Sequence, residues 1–362
     1  MLEEQSYKEF AKGLQKKIKG LRLMSAQIEL TYCCNLACIH CYSLGTDSAK
    51  ELDGHQWKRL LDQLYAAGVL TLTITGGEPL LHPDFCEVYL YAKGKGFLVT
   101  VFTNGLLIDD ELITLFQKNP PYAIEITLNG ITKEVYEKIS GVEGTFSKVI
   151  SIIDKLIQAD LSLVLKTIGL KENKDQIYDI KAFVEKCLGK GKFKFDTFVV
   201  PKLNGDRSPC AHRLDPEEID VIKSVDPDMA REHEEGCEKH QSLTREMQYK
   251  YHCNSWFQQC FITPSGSLRF CHLTDKYSVD LLTTPLEQGF YEGFPAILEE
   301  KFQTQSKCTK CSLREYCYYC PARAFLETGD DEAPVEYYCA LAKKQKEKID
   351  QLRSKDKGSY GD

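Results

Sequence analysis

The stretch from Leu30 to Tyr42 reads Leu-Thr-Tyr-Cys-Cys-Asn-Leu-Ala-Cys-Ile-His-Cys-Tyr and runs straight on from the first β-rich segment, Ala26–Thr31. Within it Cys34, Cys38 and Cys41 stand in C-x3-C-x2-C spacing. Three thiolates on one short loop can hold three irons of a [4Fe–4S] cluster and leave the fourth iron without a protein ligand. An open position is what a metal site needs if it is to bind a reactant. Three cysteines alone also suit a structural or zinc-binding loop. The next β-rich segment weighs against that reading, because Thr71–Thr75 runs into Gly76-Gly77-Glu78-Pro79. Two glycines let backbone approach a ligand closely, and a carboxylate can accept from an ammonium group. Gly-Gly at a strand end is often a plain turn, so the combination of the two motifs carries the signal.

Outward from these motifs the chain alternates. Further strand candidates are Leu98–Phe102, Ala123–Leu128, Leu161–Thr167 and Lys194–Val200. Amphipathic stretches lie between them, among them Gln56–Ala67, Phe85–Lys95, Phe146–Ala159 and Gln176–Cys187. Six βα repeats imply an α/β fold with a parallel sheet, either open and doubly wound or a partial barrel. Periodicity does not choose between them.

The 362 residues carry a net charge of −7, with 43% hydrophobic and 27% charged residues. That balance gives no basis for a nucleic-acid partner. No apolar run approaches the roughly 18 residues of a membrane span, and the first residues lack the pattern of a signal peptide. The expected location is the cytoplasm. Sixteen cysteines are then unexpected, since thiols in a reducing compartment stay unpaired and clustered ones bind metal or do chemistry. Four lie in Cys33–Cys41 and eight in Cys253–Cys339; Cys33 does not fit the spacing and reads as structural.

The second group comprises Cys253, Cys260, Cys271, then Cys308-x2-Cys311-x5-Cys317-x2-Cys320, and Cys339. Gly266 sits five residues before Cys271 in a stretch that reads as a hairpin. Eight thiols would fill two [4Fe–4S] clusters. Zinc is the alternative, although five residues between the pairs is a short spacer for a zinc ribbon. The expected division is an N-terminal extension over 1–24, a barrel over 25–204, a charged linker over 205–252, a cysteine-rich domain over 253–342 and a charged tail over 343–362.

The C-x3-C-x2-C loop and the Gly-Gly-Glu-Pro edge resemble those of the radical S-adenosylmethionine (radical SAM) superfamily. That resemblance implies a partial (β/α)6 TIM-like barrel with SAM at the C-terminal ends of the strands. It implies Cys34, Cys38 and Cys41 as ligands of the SAM cluster, whose open iron takes the amino and carboxylate groups of SAM. It places His40 near the adenine, and gives Gly76, Gly77, Glu78, Pro79, Thr103, Asn104, Thr127 and Asn129 as further SAM contacts. Relatives often carry Ser-x-Asp-Gly where this chain has Thr127-Leu-Asn129-Gly130, and Arg-Gly where it has Ser140-Gly141. Residues 253–340 resemble the SPASM extension of such enzymes, with its C-x2-C-x5-C-x3-C core. By that resemblance Cys253, Cys260, Cys271 and Cys320 hold auxiliary cluster I, and Cys308, Cys311, Cys317 and Cys339 hold auxiliary cluster II. The chain departs in having two residues, not three, between Cys317 and Cys320.

The cofactors implied are three [4Fe–4S] clusters and SAM, with flavodoxin or ferredoxin as electron donor. The implied chemistry is reductive cleavage of SAM to a 5′-deoxyadenosyl radical that abstracts hydrogen. SPASM relatives point to a peptide or protein substrate and a cross-link, epimerisation or oxidation. A small-molecule dehydrogenase or haem-pathway enzyme is the alternative; an iron–sulfur electron carrier would leave Gly76–Glu78 unexplained. No Asp, Glu, His or Tyr stands out as a further acid or base. About 25 residues before the barrel are too few for a separate leader-binding domain, so a leader is expected to rest on the barrel, the linker or a partner.

Overall fold

Alternate residues of each strand point to opposite faces, and here the two faces differ in chemistry. Ala26, Ile28, Leu72, Ile74, Val99, Val101, Ile124, Ile126, Leu163 and Leu165 are buried on one face. Gln27, Glu29, Thr73, Thr75, Thr100, Glu125, Thr127 and Lys166 occupy the other. A parallel sheet is normally apolar on both sides, so a polar inner face marks a chamber and not a second layer of core. The computed structural model describes residues 22–43, 50–241, 249–251 and 258–358. Cys253, the N-terminal extension up to residue 21 and part of the charged linker lie outside the described residues.

The parallel strands are β1 (Ser25–Glu29), β2 (Thr71–Thr75), β3 (Leu98–Thr103), β4 (Ala123–Thr127), β5 (Leu163–Ile168) and β6 (Phe193–Asp196). The intervening helices are α1 (Gly54–Ala66), α2 (Phe85–Gly94), α3 (Asp110–Lys118), α4 (Lys133–Ser140), α5 (Phe146–Gln158) and α6 (Ile177–Leu188). Each lays an apolar stripe on the core face, as α1 does with Trp57, Leu60, Leu61 and Leu64. Asp53 fixes where α1 begins by accepting from the Gln56 amide at 2.8 Å, while Gln56 reaches back to the Asp53 amide.

Strand order decides the architecture. The sheet runs β6-β5-β4-β3-β2-β1 without reversal, whereas a doubly wound sheet reverses direction at a switch point. The doubly wound alternative falls, and the winding is that of an open barrel. β6 ends at Asp196, four residues short of the Lys194–Val200 expectation. The Asp196 carboxylate accepts from the amides of Thr197 (2.6 Å) and Phe198 (3.1 Å) and turns the chain out of the sheet.

Past β1 the sheet continues with β7 (Gln259–Ile262), β8 (Ser267–Arg269) and β9 (Val279–Asp280). β7 pairs parallel to β1, and Gly266 (φ +84°) makes the turn of the β7–β8 hairpin. The hairpin expected of the cysteine-rich segment thus extends the barrel sheet itself. Helices α7 (Pro216–Val225) and α8 (Pro227–Gln241) come from the charged linker. They bury more than a solvated face would, since Leu214, Ile219, Ile222 and Met229 pack on Ile177. Two further helices, α9 (Pro321–Thr328) and α10 (Glu336–Gly358), follow; α10 joins Cys339 to the charged tail and packs Ala342 and Ile349 against Tyr316.

Candidate active site and cysteine clusters

The cysteine loop leaves the C-terminal end of β1 and is shaped by its backbone. The Ala37 and Ile39 amides donate to the Ser140 (2.9 Å) and Ile139 (3.0 Å) carbonyls, which are orphaned at the end of α4. The Gly77 amide donates to Thr31 at 2.7 Å and the Glu78 amide to Cys33 at 2.8 Å. Cys33 therefore contributes its carbonyl, and its side chain is exposed.

Gly76 and Gly77 were expected to admit a ligand, yet the close approach they allow is first to this loop. A Cβ at Gly76 would stand 2.3 Å from the Thr31 carbonyl oxygen, and one at Gly77 would stand 2.3 Å from that of Cys33. Gly77→Ala should accordingly push the two motifs apart and destabilise the chain by roughly 2–4 kcal/mol. A denaturation midpoint equal to that of the parent would overturn this packing argument.

Glu78 is buried and already has three donors. Thr103 Oγ1 (2.7 Å) and the Leu80 amide (3.2 Å) reach Oε1, and the Asn104 amide reaches Oε2 at 2.7 Å. Burial nevertheless pushes its pKa upward. Pro79 opens the short 3-10 turn that follows. Glu78 thus ties the end of β2 to the end of β3, and Asn104 carries the tie onward through Nδ2 to Asn35 Oδ1 at 2.7 Å.

On the other side, Asn129 lies buried just beyond β4. Its Oδ1 accepts from the Ile168 amide at 2.9 Å, and its Nδ2 stands 3.4 Å from His40 Nε2. An acceptor role for Nε2 leaves the proton on Nδ1, which is buried without a partner. Burial first, with His212 nearby, holds the His40 pKa down to about 4. Thr127 is half-buried on the chamber face at the end of β4.

The three thiols of the loop stand close enough to oppose one another's ionisation. Burial pushes Cys38 up to about 12, with Cys41 and Cys34 adding to the rise. Cys34 and Cys41 are also raised, chiefly by burial. A polycation seated among them reverses the sign of that repulsion, which is the condition for thiolate ligation. Among the described residues no three such side chains close on one point as a single ion requires; a four-iron group takes one thiolate per iron and spaces them wider.

At the C-terminal side Cys308, Cys311, Cys317 and Cys339 come together. Cys317 feels Cys339 and Cys308, and Cys339 feels Cys308 and Cys311. Beside them lies Arg314, buried, with both terminal nitrogens unpartnered. Its guanidinium stands 4.6 Å from the Tyr319 ring centroid and 5.6 Å from that of Phe302. A buried cation needs an anion, and four thiolates around iron or zinc supply one. Sequence reasoning missed Arg314; its signal is a lone arginine inside the C-x5-C spacer.

Cys271 and Cys320 pack against one small apolar cluster of Val200, Leu273, Ala322 and Leu326, with Tyr42 of the first loop. Cys260 is not with them. It pairs with Ala26 on the core face of β7 and is fully buried in the main core, whereas Cys271 follows β8 and is partly accessible. This placement argues against the expectation that Cys260 joins Cys271 and Cys320, because alternation in a strand sends its side chain away from the chamber. Burial alone pushes its thiol far upward, with no other cysteine contributing. Cys260→Ala should keep the full iron content and cost about 1–2 kcal/mol of stability as a small core cavity. Loss of iron in that variant would restore it as a ligand.

Residues 28–184 match the Radical SAM superfamily. Those residues form a radical SAM domain. Among proteins of described function, the AdoMet-dependent haem synthase of Methanosarcina barkeri is 27% identical over 336 residues, covering 86% of this chain and 94% of the synthase. The sporulation killing factor maturation protein SkfB of Bacillus subtilis is 32% identical over 173 residues, covering 48% of this chain and 41% of SkfB. Streptococcus suis SuiB, solved bound to its precursor peptide SuiA, superposes with a TM-score of 0.66 at 18% identity, covering 90% of this chain and 77% of SuiB. The radical SAM chain is thus an enzyme of the α/β barrel type with a cysteine-rich C-terminal segment, and no described helix is long and apolar enough to cross a membrane.

Proposed function

We propose that this radical SAM enzyme abstracts hydrogen from a peptide or protein substrate and installs a modification on it. The observation that carries the proposal is a polar chamber at the C-terminal end of the sheet, lying between the Cys34–Cys41 loop and Cys271. A chamber lined by Gln27, Glu29, Thr73, Thr75 and Thr100 offers alternating donors and acceptors, which suits backbone amides. The maturase relatives favour the same substrate.

In this reading Cys34, Cys38 and Cys41 hold a four-iron cluster. Together with SAM it supplies a 5′-deoxyadenosyl radical, chemistry that acid–base side chains cannot provide. His40 offers its unpartnered Nδ1 proton to the adenine. Glu78 and Asn104 hold the β2 and β3 ends in register with the loop, and the Gly76–Pro79 edge, Thr103, Thr127 and Asn129 frame the SAM seat. Cys271 and Cys320 supply thiolates to the inner auxiliary cluster, with Cys253 assigned to it from the sequence alone; Cys308, Cys311, Cys317 and Cys339 hold the outer one. A ferredoxin or flavodoxin delivers the electron. The expected location is the cytoplasm.

A small-molecule reading is favoured by one observation, the match to 94% of the haem synthase. Anaerobic incubation with SAM, reductant and peptides encoded beside the gene, followed by mass spectrometry, separates the two. A mass change on a peptide supports the proposal. Conversion of an iron porphyrin with every peptide unchanged overturns it.

A further inference from the structure

Most charged side chains on the inner face of the barrel are matched to one another. Glu125 takes Lys194 on one oxygen and Lys166, at 3.4 Å, on the other; Lys166 also stands over the Phe102 ring. Glu29 is different. It is the last residue of β1, beside Thr75 in register and on the chamber face with Gln27. Among the described residues nothing donates a hydrogen bond to it and no ion pair reaches it.

A second unmatched group faces the same space. Arg269 ends β8, opposite Phe261, which is itself opposite Gln27 of β1. Its Nε is buried without a partner, and it makes no ion pair among the described residues. Arg269 is the cation whose field reaches Glu29, yet the two do not close on each other. Tyr42, Phe261 and His272 wall the same space: the His272 ring stands 5.3 Å from each of the other two. Tyr42 in turn feels the charges of Glu29, Cys41, Cys271 and Tyr32. The space therefore lies between the first cysteine loop and Cys271.

A half-buried carboxylate and a half-buried guanidinium whose Nε is fully covered, left apart, each carry a partial desolvation cost that no described residue relieves. A group that donates to one and accepts from the other relieves both. We propose that Glu29 and Arg269 form a substrate seat for one backbone amide, the N–H donating to Glu29 and the carbonyl accepting from Arg269. The proposal rests on the peptide reading above. It sets the reacting residue next to the aromatic wall, and no proton or electron need change hands at the seat.

The sign of the pH effect follows from the same geometry. Burial, opposed by Arg269, pushes the Glu29 pKa up to about 7 from 4.5. A carboxyl raised on folding adds stability at acid pH that is lost as pH rises from the unfolded value through the folded one. Among the described residues Tyr42, Tyr32, Cys41, Cys271, His272 and Arg269 are the other titratable or charged groups around this space.

Two measurements on the reconstituted holoenzyme test the seat. Glu29→Gln should melt a few degrees above the parent near pH 8 and level with it near pH 5. A variant that melts lower at both pH values would mean Glu29 serves a structural ion pair, and the proposal falls. The second measurement needs no variant. N-acetylglycine N′-methylamide, a capped stretch of backbone, should raise the melting temperature of the parent. Its doubly N-methylated analogue, which keeps the carbonyls and lacks N–H, should do so at least tenfold less effectively by concentration. Equal action of the two amides overturns the seat. Failure of every peptide to react, with the amide preference intact, removes the peptide reading and leaves the seat standing.

Discussion

Replacing Cys34, Cys38 and Cys41 together by alanine should remove about four of about twelve irons per chain and abolish 5′-deoxyadenosine formation. The chain should still fold, because the loop is not held by its thiols. Four backbone hydrogen bonds, to Ser140, Ile139, Thr31 and Cys33, fix its course whether or not the side chains bind metal. Burial has raised all three thiols, so losing them removes groups that are costly to ionise and puts none of the core at risk. In the proposed assignment the remaining eight or so irons would belong to the C-terminal cysteines, which share no ligand with this loop. Iron and zinc analysis of parent and variant checks the result. An unchanged iron content, or stoichiometric zinc with only about four irons in the parent, would overturn the assignment.

Much of this was readable in the residues because local signals agreed with the global fold. Thr71–Thr75 alternates, ends in Gly-Gly, and forms β2 over that range. Cys34, Cys38 and Cys41 are nine residues or fewer apart, so their meeting follows from chain geometry. What could not be read depends on distant pairing. β7 lies more than 200 residues from β1, and nothing local in Gln259–Ile262 says that it adds to the barrel sheet. That pairing alone decides that Cys260 faces the core. It also brings Arg269, through Phe261, into register with Gln27 on the face that carries Glu29, which in the sequence is an ordinary polar residue in an alternating strand. Glu78 was read as a carboxylate at the motif edge that accepts from an ammonium group, and its protein donors Thr103 and Asn104, which come from the next strand, were not legible there.

Arg314 gives a prediction whose sign depends on whether iron is present. Its terminal nitrogens are buried with no hydrogen-bond partner among the described residues, and an uncompensated buried charge costs about 3–5 kcal/mol. The Tyr319 and Phe302 rings return part of that, about 0.5–2 kcal/mol each. Arg314→Met should therefore leave the iron-free chain as stable or more stable. In the proposed loaded chain the thiolates of Cys308, Cys311, Cys317 and Cys339 would carry net negative charge, and the same substitution would remove their buried counter-ion. It should then destabilise the loaded protein and make one of the clusters harder to reduce, since the cation favours the more negative, reduced form. Thermal unfolding with and without iron, together with a potentiometric titration followed by electron paramagnetic resonance, reads both effects. If the substitution shifts both forms in one direction and moves no potential, Arg314 has no anionic partner, and the four cysteines beside it do not hold a cluster.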